Sequence, residues 1–579
     1  PYIVILTGLL FMSFFSPASA ASNTSGQPAA DRPVITRLAN GLTVLVKKDN
    51  RFPLVSLRLY VHAGSAYETA EDAGISHVLE HMVFKGTEKR PKGKVASDVE
   101  LTGGYLNAAS SFDYTVYLTD MTKEHWKTGL DVLKDMAFHP ALDPEALASE
   151  KDVIVAELKR GEDNPGQRLF RMTQQAALKG TPYYNPIIGY EKTIRAVSSE
   201  SMRSYISRFY QPQSMLLLVC GDVEPQDVLQ EAARLFGDLA NTQPVEPPYP
   251  LTIEGRGGFS ATVETSPWNK THIAIAIPVP GMEDIRSAHL DVLAQILGGD
   301  ASSRFYRRYK YEKRLVDSIS VSNYSFERLG LLYVTATLDA DKLAIFWENL
   351  TKDLSALDKI QFSKDEVERA KLNIEDSLYR SKETLAGYTS KLGYFAFFNG
   401  GEQGEANYLR SVKDCDQNIL RDLIKEYFNP EALSLVALVP KDSVPPKSPA
   451  QNWSEWLNNK IKTSWKSSDS QAQKNAESGV KGEPEVIDLG KGRTLVLIPD
   501  STLPYTAVNM LFRGGDSLLN EKNQGLATFT ASLLTKGTKK MNAPAIEDYL
   551  SGRAASFGAT SGRQGFNVSM NVPERFSKD

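Results

Sequence analysis

The chain has 579 residues, 41% of them hydrophobic and 23% charged, with a net charge of −4. That length exceeds what one hydrophobic core usually serves, so roughly three to five domains are expected. The balance is that of a globular protein, and it leaves no basic footprint for nucleic acid and no polybasic patch for a membrane surface. Of the two cysteines, Cys220 sits in an apolar run and Cys415 near a helix start, so the fold is not a disulfide scaffold.

In chain order, Ile3 to Phe15 is apolar and uncharged, Ser16-Pro17 breaks it, and Ala18-Ser19-Ala20 follows as a small-x-small cleavage signal. Residues 1–20 therefore read as a secretory signal peptide. A membrane anchor is the competing reading, but the run is short of the ~20 residues that span a bilayer. Residues 21–32 are small and polar and read as a flexible leader. Order is expected from Val34. The Asn40-Gly41 pair turns the chain into Leu42–Val46, a hairpin signature. Leu54 to His62 alternates as another strand, and helical periodicity marks Ile75–Phe84 and Glu145–Leu158. Strands and helices alternate with hairpins among them, which argues for an α+β fold of layered α/β domains. A proline cluster at Pro244–Pro250 places a boundary, giving domains at 33–245 and 246–445. A polar, Pro- and Ser-rich stretch at 446–482 reads as a linker, with a short helix near Trp453–Ile461. A third domain is expected from 483.

An internal repeat organises the chain. Gly74–Thr87 matches Gly525–Thr538 at an offset of 451 residues, which also pairs Ala108 with Ala559 and Ser110 with Ser561. At the positions of His77, Glu80 and His81 the second copy holds Thr528, Ala531 and Ser532. The scaffold was duplicated, and only the first copy carries metal-binding side chains. Residue 579 falls about a hundred residues into the second copy, so a longer protein is expected, with its second half truncated here.

His77-Val78-Leu79-Glu80-His81 carries the chemistry. On a helix, residues four apart share a face, so both imidazoles can reach one ion. Glu80 lies near that face, placed to poise a carboxylate beside a metal-bound water. H-x-x-E-H is the inverzincin signature; a buried structural His pair is the alternative. Zinc catalysis needs a third protein ligand. Glu150 and Glu157 are seven apart on the Glu145–Arg160 helix, hence on one face. By themselves they read first as a solvated face, although Val153, Ile154, Val155 and Leu158 make that helix apolar enough that its carboxylates need partners. His62, His125, His139, His272 and His289 lack partners at ligand spacing and read as structural or surface residues.

H-x-x-E-H followed by a glutamate 76 residues beyond the second His resembles the pitrilysin/insulysin/mitochondrial-processing-peptidase family of zinc metallopeptidases. Ala63-Gly64-Ser65, Phe84-Lys85-Gly86-Thr87, Gly103–Ala108, Pro182-Tyr183 through Ile188-Gly189, and Phe209-Tyr210-Gln211-Pro212 follow the same pattern. The resemblance implies a clamshell of two homologous halves and one zinc per chain, bound by His77, His81 and Glu157. It implies that Glu80 activates water and that Glu150 supports the site. Leu106-Asn107-Ala108 and the following strand, Asp113–Leu118, would border the cleft, with Asn107 and Ala108 on the strand edge where an extended peptide pairs. The expected activity is that of a secreted, bacterial-periplasmic zinc metalloendopeptidase acting on peptides or unfolded polypeptides, with no nucleic-acid partner and no stable membrane insertion. A non-catalytic relative serving as a scaffold is the rival reading. The Arg and Tyr seven residues apart that the family uses to close over substrate are Lys310 and Asp317 here, so that pair is expected beyond Asp579.

Overall fold

The computed structural model describes residues 32–246, 251, 259–300, 302–446, 452–465, 485–490, 492–498, 505–520, 522–542, 545–546, 549–550, 555–573 and 576–578. The expected signal peptide and all but the last residue of the leader lie outside them, as do 447–451 and 466–482 of the expected linker.

The first unit is built on a six-stranded sheet. Its strands are β1 (Val34–Arg37), β2 (Thr43–Lys48), β3 (Leu54–Val61), β4 (Tyr105–Ser110), β5 (Thr115–Thr122) and β6 (Met215–Gly221), in the order β1-β2-β6-β3-β5-β4. The Asn40-Gly41 turn forms because Gly41 takes a φ of +89°, which costs a glycine nothing. β3 and β6 are buried on both faces apart from Leu54; β6 accordingly reads as an apolar run, whereas the alternation read in β3 comes from Ser56 and Arg58, which are buried too. Five helices carry what matters below: α1 (Ile75–Met82), α2 (Lys94–Glu100), α3 (Trp126–Phe138), α4 (Pro144–Glu162) and α5 (Pro165–Ala177). Asp143 caps α4 through the Ala146 N–H, with Pro144 at the first helical position. Contrary to the apolar reading of α4, only Leu147, Glu150, Ile154 and Val155 are buried there; Val153 is exposed.

The second unit is a five-stranded sheet of β7 (Ser260–Ser266), β8 (Thr271–Pro280), β9 (Ser318–Ser325), β10 (Leu329–Leu338) and β11 (Ser434–Pro440), ordered β7-β11-β8-β10-β9. The two units share apolar packing. α5 of the first lies on β8 and β11, and the helix Leu385–Asn399 of the second lies on β3 and β6. There Gly393 meets the Tyr60 ring and Tyr60 Oη donates to the Ser390 carbonyl. Within the stretch read as linker, the helix Trp453–Ser464 is seated on the second core, its Leu457 carbonyl accepting from Trp347 Nε1. Both cysteines are free and buried.

The described part of the third unit holds β12 (Glu485–Gly490), β13 (Arg493–Leu497), β14 (Tyr505–Arg513), β15 (Ser556–Ser561) and β16 (Gly565–Pro573). The repeat is visible in three dimensions. The helix Leu526–Leu533 has the length of α1, and Gly525 before it shares the left-handed backbone of Gly74. β14-β16-β15 repeats the order β3-β5-β4. Leu511 and Phe529 are exposed where their first-copy counterparts Tyr60 and Val78 are buried.

The N-terminus of α1 is fixed by two glycines packed back to back. A Cβ on Gly74 (φ +98°) would lie 2.7 Å from the Ile188 carbonyl oxygen, and one on Gly189 (φ +77°) would lie 2.3 Å from that of Ala73. Gly189→Ala is expected to lower the stability of the first unit by about 2 kcal/mol or more, through left-handed strain and the steric clash. Its urea midpoint measures this, and an unchanged midpoint would disprove the close approach.

Candidate metal centre

α1 is only eight residues long, yet it buries Ile75, Val78, Leu79 and Met82 and turns His77, Glu80 and His81 toward α4 and β4. Glu68 holds its first turn. Its carboxylate accepts from the Gly74 N–H at 2.7 Å and the Ser76 N–H at 2.8 Å, so both oxygens serve amides that the helix itself leaves unpaired. Burial pushes the Glu68 carboxyl up to about 7 despite those hydrogen bonds.

His77, His81 and Glu157 converge: one donor atom from each lies within 4.8 Å of the others, the one such group of three among the described residues. Glu157 comes from α4, its Oε1 3.9 Å from His77 Nε2 and its Oε2 3.6 Å from His81 Nε2. The donor set, two imidazoles and a carboxylate, suits zinc at its usual ~2.0–2.2 Å after small side-chain rotations. His81 Nδ1 lies 2.9 Å from Glu150 Oε1, a contact that fixes the ring and leaves Nε2 as the nitrogen facing Glu157. His77 Nδ1 is buried without a partner. Burial, with His81 beside it, brings His77 down to about 4, so above that pH it is the neutral imidazole a metal requires.

The carboxylates differ in environment. Glu150 is buried, which would raise it, but hydrogen bonds from Lys85 and His81 bring it below the usual range. Glu80 is pushed up, first by burial and further by Glu157, although the Ser110 N–H donates to its Oε2 at 2.8 Å. Glu80 and Glu157 thus face two imidazoles in a half-buried cleft, an arrangement that a divalent cation would neutralise.

A cavity of about 810 Å³ opens from His77, Glu80 and Glu157. Its far wall comes from the second unit through Tyr324, Tyr333 and His272. A larger cavity of about 1100 Å³, around Asp291 in the second unit, contains none of these residues. Asn107 is exposed on β4, bonded to Tyr105 Oη, while the Ala108 side chain is buried. Neither lines the cavity; Ala109, Ser110 and Phe112, just beyond them, do. Asp113 lies in the turn before β5 rather than on the strand. Three contributors escaped the sequence reading. Glu68 carried only the weak signal of an acid among small residues. Ser110 acts through its backbone. His272 reaches the cleft only through tertiary packing.

Residues 43–191 match the insulinase family (peptidase family M16), and residues 196–374 match the peptidase M16 inactive domain. The chain belongs to the M16 peptidase family. This M16 chain is 28% identical over 370 residues to an uncharacterized zinc protease of Rickettsia felis, spanning 63% of this chain and 87% of that protein. Among solved structures it resembles a protease from Helicobacter pylori, with a TM-score of 0.65 and 23% identity over 71% of this chain and 100% of that one. It also resembles the periplasmic protease PqqL from Escherichia coli, with a TM-score of 0.63 and 17% identity over 94% of this chain and 64% of that one. At such identities the structural likeness speaks for the M16 fold alone.

Glu68→Gln is expected to cost about 1–3 kcal/mol, because the amide can accept one of the two backbone N–H groups and turns a donor toward the other. Denaturant unfolding of the variant beside the parent reads the difference; equal midpoints would remove Glu68 as the anchor of α1.

Proposed function

We propose that the chain is a zinc-dependent metalloendopeptidase acting on peptides or unfolded polypeptides, with one zinc per chain on His77, His81 and Glu157. The observation that carries this reading is the convergence of those three donors beside Glu80, at a strand edge inside a cleft. The ion supplies Lewis-acid polarisation of the attacking water and of the scissile carbonyl. Glu80 takes the proton of the attacking water and returns it to the leaving amine. Its affinity for a proton, raised by burial, suits that exchange, and the Ser110 N–H keeps its carboxylate from turning away. Glu150 fixes the ring of His81 and is itself held by Lys85.

The sheet order supports a mode of substrate binding. β4 ends the first sheet, so its outer edge has no strand partner among the described residues. An extended peptide can pair there through the main chain of Asn107–Ala109, with the Asn107 side chain beside it. Such pairing reads extended shape before side-chain identity, which fits unfolded substrates. The second unit, which matches the inactive domain, serves as the opposite wall. The reading divides the chain at 33–245, 246–445 and 483–579.

For location we propose export, with cleavage after Ala20. The support is the apolar run Ile3–Phe15 before Ala18-Ser19-Ala20 and the periplasmic description of one structural neighbour. Among the described residues no helix is long and apolar enough to cross a membrane.

Two variants test the chemistry. Glu80→Gln should keep its zinc while turnover of an unstructured peptide falls by about a hundredfold or more, the scale of a general base; a zinc-replete variant with parental turnover would refute the role. Glu157→Gln should lose zinc on dialysis against a chelator that leaves the parent replete, read by metal analysis, and parental retention would refute the third ligand.

A further inference from the structure

The N–H that orients Glu80 belongs to Ser110, the last residue of β4. Ser110 opens into a tight hairpin turn closed by the Ser111 N–H donating to the Tyr114 carbonyl at 2.8 Å. That turn is gripped from two sides. On one, the Ser65 and Ala66 N–H groups donate to the carbonyls of Ser111 and Phe112 at 3.1 and 2.9 Å. Gly64 lies so close that a Cβ there would sit 2.4 Å from the Ser111 oxygen. On the other side the contact crosses between units. Asp113, 4% exposed, accepts from Tyr183 Oη at 2.7 Å and from the backbone N–H of Glu327 at 2.9 Å. Tyr183 Oη in turn accepts from the Arg328 N–H at 3.2 Å. Glu327 and Arg328 form the turn between β9 and β10, and Phe326 beside them stacks on Tyr183 at 4.9 Å and leans on Phe112 at 4.7 Å.

We propose that Asp113 is a positioning residue: by gripping Tyr183 and the Glu327 backbone, it locks the β4–β5 turn against the second unit and so sets where the Ser110 N–H presents itself to Glu80. The catalytic part of this inference rests on the proposed peptidase activity. The physical logic is that both carboxylate oxygens are engaged in a buried setting, where an unpaired donor is costly. The turn therefore has one seat rather than several, and a displacement of the base by even an ångström is expensive in rate. The second unit thereby acts on the chemistry without touching it.

The test compares the parent chain with Asp113→Asn and Tyr183→Phe, each zinc-loaded. An amide at 113 cannot accept both bonds, and Tyr183→Phe deletes a single hydroxyl, so it carries the test if the first variant does not fold. The expected result is a fall in kcat of about tenfold, the scale of lost positioning, with KM near the parental value and zinc content unchanged. Hydrogen exchange at Ser110–Tyr114 and at Glu327–Arg328 should quicken together. Parental kcat together with parental exchange in a folded variant would overturn the proposal. If the parent itself shows no turnover, the peptidase reading fails separately, and exchange alone decides the clamp: coupled quickening at both turns supports it, and unchanged protection at Ser110 overturns it.

Discussion

Isolated helices shorter than about 12–15 residues are marginal in water, yet three of the four residues closest to the candidate chemistry sit on α1, which has eight. Its order is therefore borrowed. The apolar face of Val78, Leu79 and Met82 is sealed into the first core. The open N-terminal amides are taken by the Glu68 carboxylate, and the entry angle is set by the contact of Gly74 with Gly189. The same segment that ends in Glu68 begins at Gly64, against the β4–β5 turn that presents Ser110. Helix, base and strand edge are thus parts of one small assembly. α4 supplies the rest from a single face, with Glu157 toward the imidazole nitrogens and Glu150 behind His81.

The repeat separates scaffold from chemistry. Around residues 505–573 the same strand order, a helix of the same length and the same left-handed glycine recur, with Thr528, Ala531 and Ser532 in place of the metal-binding set. Nothing in the backbone pattern requires the ligands. The arrangement that can hold an ion is a property of a few side chains on a frame that recurs without them.

The cleft belongs to the joint between the first two units. One wall is α1, α4 and β4; the other is β9 and β10, brought close because α5 packs on the second sheet and the helix Leu385–Asn399 packs on the first. Aromatic rings seal the joint: Phe170 lies 5.2 Å from Tyr324 and 5.5 Å from Tyr333. A core shared in this way resists independent motion of the two walls, since close-packed interiors transmit displacement rather than absorb it.

Much of this was legible in the sequence because it is local. Asn40-Gly41 marks its own turn, the spacing of His77 and His81 puts both rings on one helical face, and the offset of the repeat is a matter of counting. Periodicity placed α1 and α4 within a few residues. What periodicity could not place was anything whose partner is distant along the chain. That Glu157 rather than Glu150 meets both imidazoles depends on how α4 crosses α1, since the two acids share a face. The role of Ser110 lies in a main-chain N–H, to which its side-chain identity gives no clue. Tyr324, Tyr333 and His272 reach the cleft, and Glu327 reaches Asp113, only because two sheets dock. Composition and spacing thus determined the secondary structure, the repeat and the metal-binding residue types; tertiary packing alone decided which groups converge. The reason is that side-chain periodicity records which face of an element is buried, and carries no record of what that face is buried against.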